Sequence, residues 1–319
     1  SIAVLMLILA WFSVLGLEKV ADDRQDSQKI TSYQLSDFYG LEENSLDIII
    51  TGSSHAMCSY DPEYIMSETG LDTYNLGTAL QQPDTAYYLM KEVYKTQKPK
   101  YWICDMYFKT LSPGKDTQQS ETVLQEMKLS LNSIEMYLFN LPFDGAMGYL
   151  SGRINPFGRL YSITSDWDNA VASKDKPRDP KYRGRGYFLS EAVITEDHLK
   201  PENHPFPQEY EQFSQRQLEY LEKTIQLAKD NGTEIIFVTA PIPPTILGRI
   251  SYYKDINADV NKIAEKYGIR FIDFGMDQLS GGLDMKDEEF ADQGHMNPQG
   301  AEVFMPYFVQ KIEPLLNVL

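Results

Sequence analysis

The chain has 319 residues and a mass of 36.6 kDa, is 42% hydrophobic, and carries only 17 prolines and 20 glycines. That is enough for one large core or two modest ones, and it excludes disorder and collagen-like repeats. Lys and Arg number 29 against 46 Asp and Glu, a net charge of −17, so the molecule as a whole repels phosphate backbones and general nucleic-acid binding is disfavoured. Two cysteines, Cys58 and Cys104, cannot form a disulfide framework, and no Cys/His spacing resembles a zinc site. Imidazole chemistry has only His55, His198, His204 and His295 to draw on.

Ile2 to Leu17 contains no charge. As a helix rising about 1.5 Å per residue it covers about 24 Å, short of a hydrocarbon core of about 30 Å. With no small-x-small cleavage site after it, residues 1–20 read as a single N-terminal membrane anchor that places the rest of the chain outside the cytoplasm. A signal peptide and a buried core helix are the alternatives.

Residues 21–319 read as the globular part. Asp47 to Thr51 is a short β-branched run expected to be a strand buried on both faces, ended by Gly52. Thr73 to Leu76 is a second strand, stopped by Gly77. Asp84 caps a helix with Ala86, Met90, Val93 and Tyr94 on one side, and Tyr101 to Met106 forms a third strand. Leu218, Leu221, Ile225 and Ala228 mark a helix ending at Asn231-Gly232, followed by a strand from Glu234 to Thr239. Val260, Ile263, Ala264 and Tyr267 repeat the plan before Gly268 and a strand from Ile269 to Phe274. This alternation predicts an α/β domain with a doubly wound, mostly parallel sheet.

The rhythm lapses over about residues 109–207, which read as an inserted lid or subdomain with a helix around Ser120 to Phe139. Within it lie Lys174, Lys176, Arg178, Lys181, Arg183 and Arg185, either a solvated loop or a patch that steers an anionic polymer toward a site.

Gly52-Ser53-Ser54-His55 follows the first strand, at the carboxyl edge where an open parallel sheet usually holds its ligand. A serine opening a helix there is either a simple cap or a nucleophile beside free backbone N–H groups. Near the other end, Asp292-Gln-Gly-His295 precedes the terminal helix. Its spacing lets the carboxylate fix the tautomer of the imidazole, leaving the second ring nitrogen to take a proton from a serine. Alone, this tetrapeptide is equally a surface loop or a cap before Pro298. His55 is either a modulator of the neighbourhood of Ser54 or, since adjacent helix residues point apart, a packing or surface residue; His198 and His204 read as surface residues, and Trp102 as core. Cys58 and Cys104 are either near neighbours or separate small hydrophobes.

Taken together, Gly52-Ser53-Ser54, Gly77 and Asp292-x-x-His295 resemble the motif blocks of the SGNH/GDSL hydrolase-like superfamily. The likeness covers residues 45–108 and 234–319 but not the insertion. The scaffold it implies is flavodoxin-like, with Ser54 as nucleophile, His295 as base, Asp292 as orienting acid, and the backbone N–H groups of Ser54 and Gly77 as oxyanion hole. The membrane segment and Gly-Ser-Ser are similar to DltD-like teichoic acid D-alanylation proteins and polysaccharide O-acetylation proteins. Where the superfamily places an oxyanion asparagine after the third strand, this chain has Asp105. Losing such a donor costs about 3–4 kcal/mol of barrier, so Tyr107 or a lid residue is expected to substitute, or hydrolysis to be slow.

The resulting expectation is serine-dependent acyl transfer or ester hydrolysis on a cell-envelope polysaccharide or teichoic acid through an acyl-serine, without cofactor or metal. A membrane-bound O-acyltransferase is the expected partner. The alternative is a catalytically weak binding or scaffolding partner of such an acyltransferase, with Asp105 as its main support.

Overall fold

Among the described residues, short runs of extended chain appear in chain order as β1 (Ile48–Thr51), β2 (Thr73–Asn75), β3 (Tyr101–Asp105), β4 (Tyr182–Gly184), β5 (Tyr187–Phe188), β6 (Glu234–Thr239) and β7 (Arg270–Asp273). Five of them pair in the order β2-β1-β3-β6-β7, every pair parallel, and β4 and β5 form a separate antiparallel hairpin. This computed structural model describes residues 2–17, 26–114, 117–141, 160, 164, 167 and 177–316. The α/β sheet expected from the alternating pattern is present, with all five expected strands within a residue or two of their anticipated ends.

Because successive side chains in a strand point to opposite faces, the sheet has two cores. Ile49, Trp102, Cys104, Ile235 and Phe237 pack on one face with residues from the helices Asp26–Tyr39, Pro83–Thr96, Gln215–Asp230 and Tyr253–Tyr267. Ile48, Ile50, Ile103, Ile236 and Val238 pack on the other with the helices Ser54–Ser59, Pro62–Thr69 and Pro298–Ile312. Burial on both faces explains why these strands read as unbroken apolar runs. Trp102 is fully buried and donates its indole N–H to Thr51 Oγ1 at 2.8 Å. Cys58 and Cys104 are both buried free thiols.

Strand order reverses between β1 and β3, so the carboxyl ends of these two strands open a crevice at the switch point of the sheet. The chain leaves β1 through Gly52 directly into the helix that begins at Ser54.

The N-terminal segment requires a correction. Ile2–Leu17 is helical, as its composition predicts, but among the described residues no helix is long and apolar enough to cross a membrane. Sixteen residues rise only about 24 Å. The expected single N-terminal anchor is therefore not supported, and the placement outside the cytoplasm that depended on it loses its basis. Residues 18–20 of the expected segment lie outside the described residues.

The insertion is described only in part, and most of Gly152 to Lys176, including Lys174 and Lys176, lies outside the described residues. The helix expected from Ser120 to Phe139 is two helices, Thr117–Glu126 and Leu131–Asn140. Ser130 breaks the run by capping the second, its hydroxyl accepting from Ser133 N while the Ser133 hydroxyl accepts from Ser130 N. Within the basic stretch three arginines form ion pairs: Arg178 with Asp37, Arg183 with Glu191, and Arg185 with Asp72.

That last pair seats the β4–β5 hairpin against the edge strand β2. Asn75 N donates to Arg185 O at 3.0 Å, and Arg185 Nε donates to Thr73 O at 2.8 Å. Gly186 has φ +83, and a Cβ there would lie 1.7 Å from Asn75 O, so only glycine fits the hairpin turn. Gln34 Nε2, from the Asp26–Tyr39 helix, donates to both Gly77 O and Gly186 O and ties the two loops together.

Candidate active site

Gly52 brings the serine into the crevice. Its φ is +151, and an added Cβ would sit 2.7 Å from Asp105 Cβ and 2.9 Å from Ala56 Cβ, so the turn and its close approach to β3 both require glycine. Ser53 is the N-cap, its Oγ accepting from His55 N at 3.2 Å. Ser54 then opens the helix with its hydroxyl half-buried, and its N–H has no acceptor within the helix.

The structure brings Ser54 together with His295 and Asp292. Ser54 Oγ–H faces His295 Nε2 at 2.7 Å, and His295 Nδ1–H faces Asp292 Oδ2 at 2.8 Å. Asp292 Oδ1 accepts from the N–H groups of Gly294 and His295, each at 3.0 Å. Burial acts to raise the Asp292 pKa. The bond to His295, the imidazole charge and the two backbone donors outweigh it and hold the carboxyl down to about 2, so it is ionised at any ordinary pH.

The loop 290–297 is held from outside by the end of the insertion. Ile194 N donates to Phe290 O at 2.8 Å, and Asn297 Nδ2 to Ala192 O at 3.3 Å. Gln293 Nε2 donates to His198 O at 2.8 Å and also to Asn203 O. His198 and His204 are half-buried rather than fully surface residues, and each ring accepts a backbone N–H, from Thr195 and Phe206 respectively.

His55 lies beneath the loop. It is 5% exposed, stacked on the Tyr107 ring at 3.8 Å between centroids, and tilted 54° against His295 at 5.7 Å. Burial first, and the nearby His295 second, lower its pKa to about 3, so the ring is neutral. The ring is buried rather than at the surface. Tyr107 is part of the same stack, its ring also meeting Phe108 and Phe206 edge-on.

Two expected oxyanion features look different. Gly77 sits hard against the helix Ser54–Ser59, where a Cβ would lie 2.9 Å from Met57 N, but its own N–H donates to Asn75 Oδ1 at 2.9 Å. Asn75 Nδ2 in turn donates to Ala56 O and Tyr60 O, stitching the end of β2 to that helix. Asp105 is no loose anion facing the serine. Its Oδ2 accepts from Tyr60 OH at 2.7 Å and Ala240 N at 2.9 Å, and its Oδ1 from Tyr107 N at 3.1 Å. Burial raises its pKa to about 6 against the opposing pull of these donors.

Gln293 and Asn75 went unnoticed in the sequence. Asn75-x-Gly77 carries a local signal, since an Asx side chain often accepts from the amide two residues on. Nothing in the sequence marks Gln293, because its partners lie 90 and more positions away.

No family model and no curated protein matches the chain. Among solved structures it is similar to a GDSL-like lipase from Bacteroides thetaiotaomicron, at 11% identity and TM-score 0.41 over 91% of this chain and 100% of that one. It is likewise similar to an acylhydrolase-like protein from Bacteroides fragilis, at 12% identity and TM-score 0.41 over 89% and 95%. With the glycine-serine turn after β1, Gly77 after β2 and the Asp-x-x-His loop before the last helix in place, the resemblance of this chain to the SGNH/GDSL hydrolase-like superfamily stands.

Proposed function

We propose that the protein is a serine-dependent esterase or acyltransferase working through an acyl-serine. The observation that supports this most directly is the relay from Ser54 Oγ through His295 to Asp292, with contacts of 2.7 and 2.8 Å. In this reading His295 Nε2 takes the Ser54 proton as Oγ attacks an ester carbonyl, and Asp292 stabilises the imidazolium. The tetrahedral intermediate collapses by breaking the bond to the leaving alcohol, which receives that proton from His295. Water, or an acceptor hydroxyl, then gives its proton to His295 and attacks the acyl-serine carbonyl; the bond to Ser54 Oγ breaks, His295 returns the proton to Oγ, and the acid or new ester leaves.

The N–H of Ser54 is the first oxyanion donor. A contribution from Gly77 requires its N–H to be shared with Asn75 Oδ1, and Asp105 supplies none. A thin oxyanion hole slows both acylation and deacylation, which suits transfer to a bound acceptor more than rapid hydrolysis. An acyl-bearing or acyl-accepting cell-envelope glycan or teichoic acid, with a membrane-bound O-acyltransferase as partner, is the substrate and partner reading that follows from the motif resemblance.

The engaged Gly77 amide favours one second reading, a catalytically weak scaffold that binds an acyltransferase. Intact-mass measurement after exposure to a fluorophosphonate and to acyl-ester donors separates the two. An adduct on the parent chain that vanishes in Ser54→Ala supports the enzyme, and an unmodified parent chain at saturating probe supports the scaffold.

A further inference from the structure

His55 has no part in the relay, yet it touches the relay's most constrained turn. Gly294 lies between Asp292 and His295, directly before the histidine, and a Cβ on it would stand 2.7 Å from His55 Nε2 and 2.8 Å from His55 Cε1. No real Cβ contact is that short, so the turn rests directly on the imidazole edge. The ring has nowhere to retreat: it is 5% exposed and stacked at 3.8 Å on Tyr107, which is itself 6% exposed. Tyr107 is fixed in turn, since its N–H is held by Asp105 Oδ1 at the end of β3. His55 Nδ1 is buried without a hydrogen-bond partner, so contact rather than a polar bond is what the ring supplies.

From this stack we infer that His55 is a positioning residue: its ring, braced by Tyr107, sets the height of the Asp292–His295 turn through Gly294 and so holds His295 within reach of Ser54. The inference rests on the proposed serine chemistry and adds a determinant outside the three relay residues. An imidazole has the thickness for the task, and its neutrality avoids a second positive charge 5.7 Å from a ring that must become cationic in the reaction. Misplacing a reacting group by about 1 Å costs on the order of 100-fold in rate.

The test is a double-mutant cycle on full-length protein, read as the rate of fluorophosphonate labelling at Ser54. Gly294 is not among the glycines with positive φ, so the clash with His55 is the main consequence of Gly294→Ala. In the parent background Gly294→Ala is expected to slow labelling about 100-fold. In the His55→Ala background, where the opposing ring is gone, the same substitution is expected to cost less than about 3-fold. An equal cost in both backgrounds, or no cost in the parent, overturns the inference. The NMR signal of the His295 ring proton bonded to Asp292 gives a readout that needs no labelling. It should shift in Gly294→Ala and return toward the His55→Ala position in the double variant, and an identical shift in both backgrounds overturns the inference. If the parent takes no label, the serine reading fails while this signal still decides the role of His55.

Discussion

At the scale of single residues, the most informative departure is Asp105. A carboxylate accepts from all three of its neighbours, Tyr60 OH, Ala240 N and Tyr107 N, whereas an amide in its place must turn an NH2 toward one of those donors. Asp105→Asn, which restores the residue usual at this point of the superfamily, is therefore expected to destabilise the fold by about 1–3 kcal/mol and not to improve catalysis; urea unfolding and fluorophosphonate labelling check the two halves. Gly52 tolerates even less. Gly52→Ala combines backbone strain of about 1–3 kcal/mol with overpacking of about 1–3 kcal/mol against Asp105 Cβ, and its midpoint of thermal unfolding should fall accordingly or soluble protein be lost. Ser54, His295 and Asp292 were legible because their residue types and positions name a chemistry. The role of Asp105 was not, since an aspartate's meaning depends on donors from β6 and from Tyr60 that only the fold assembles.

At the scale of elements, the two ends of the insertion have separate tasks: the β4–β5 hairpin seats on β2, and the segment 192–203 straps the loop that carries His295. Gln293→Ala removes both strap bonds of that side chain. It should raise amide hydrogen exchange across residues 196–203 and slow labelling of Ser54, while leaving exchange in β1, β3 and β6 unchanged. Gly186→Ala cannot keep the hairpin turn beside Asn75 O, so limited proteolysis between residues 182 and 188 should accelerate. The strands and the helices beginning at Pro83 and Tyr253 were readable from periodicity. The helices Asp26–Tyr39 and Pro62–Thr69 were missed, the first because few apolar residues mark it, the second although Asp61-Pro62 is a strong start signal, with Asp61 Oδ1 accepting from Glu63 N and Tyr64 N. The pairings of Arg178 and Arg185 were illegible because Asp37 and Asp72 lie more than 100 positions away.

For the whole molecule, two buried groups set opposing pH dependences. His55 has a folded pKa lowered to about 3 from 6.5, so its stabilising contribution is full above 6.5 and is lost as pH falls toward 3. At pH 4 that loss is about 3 kcal/mol. Asp105 has a folded pKa raised to about 6, so its ionisation destabilises the fold as pH rises through 6, and acidification from pH 7 to 4 returns about 2 kcal/mol. Denaturant titrations at pH 4 and 7 should therefore separate the variants: His55→Gln gains relative to parent on acidification, and Asp105→Asn loses. The uncharged composition of the N-terminal run misled the reading of an anchor, since among the described residues no helix is long and apolar enough to cross a membrane.

Ser54 and His295 are 241 positions apart, and the parallel strands that bring them together all pair non-locally. No fragment lacking either end of the sheet can hold the pair in register, and a topology of such distant partners closes late in folding. Reactivity at the serine should thus appear only when the last helix docks, which makes a covalent probe of that hydroxyl a clock for completion of the native chain.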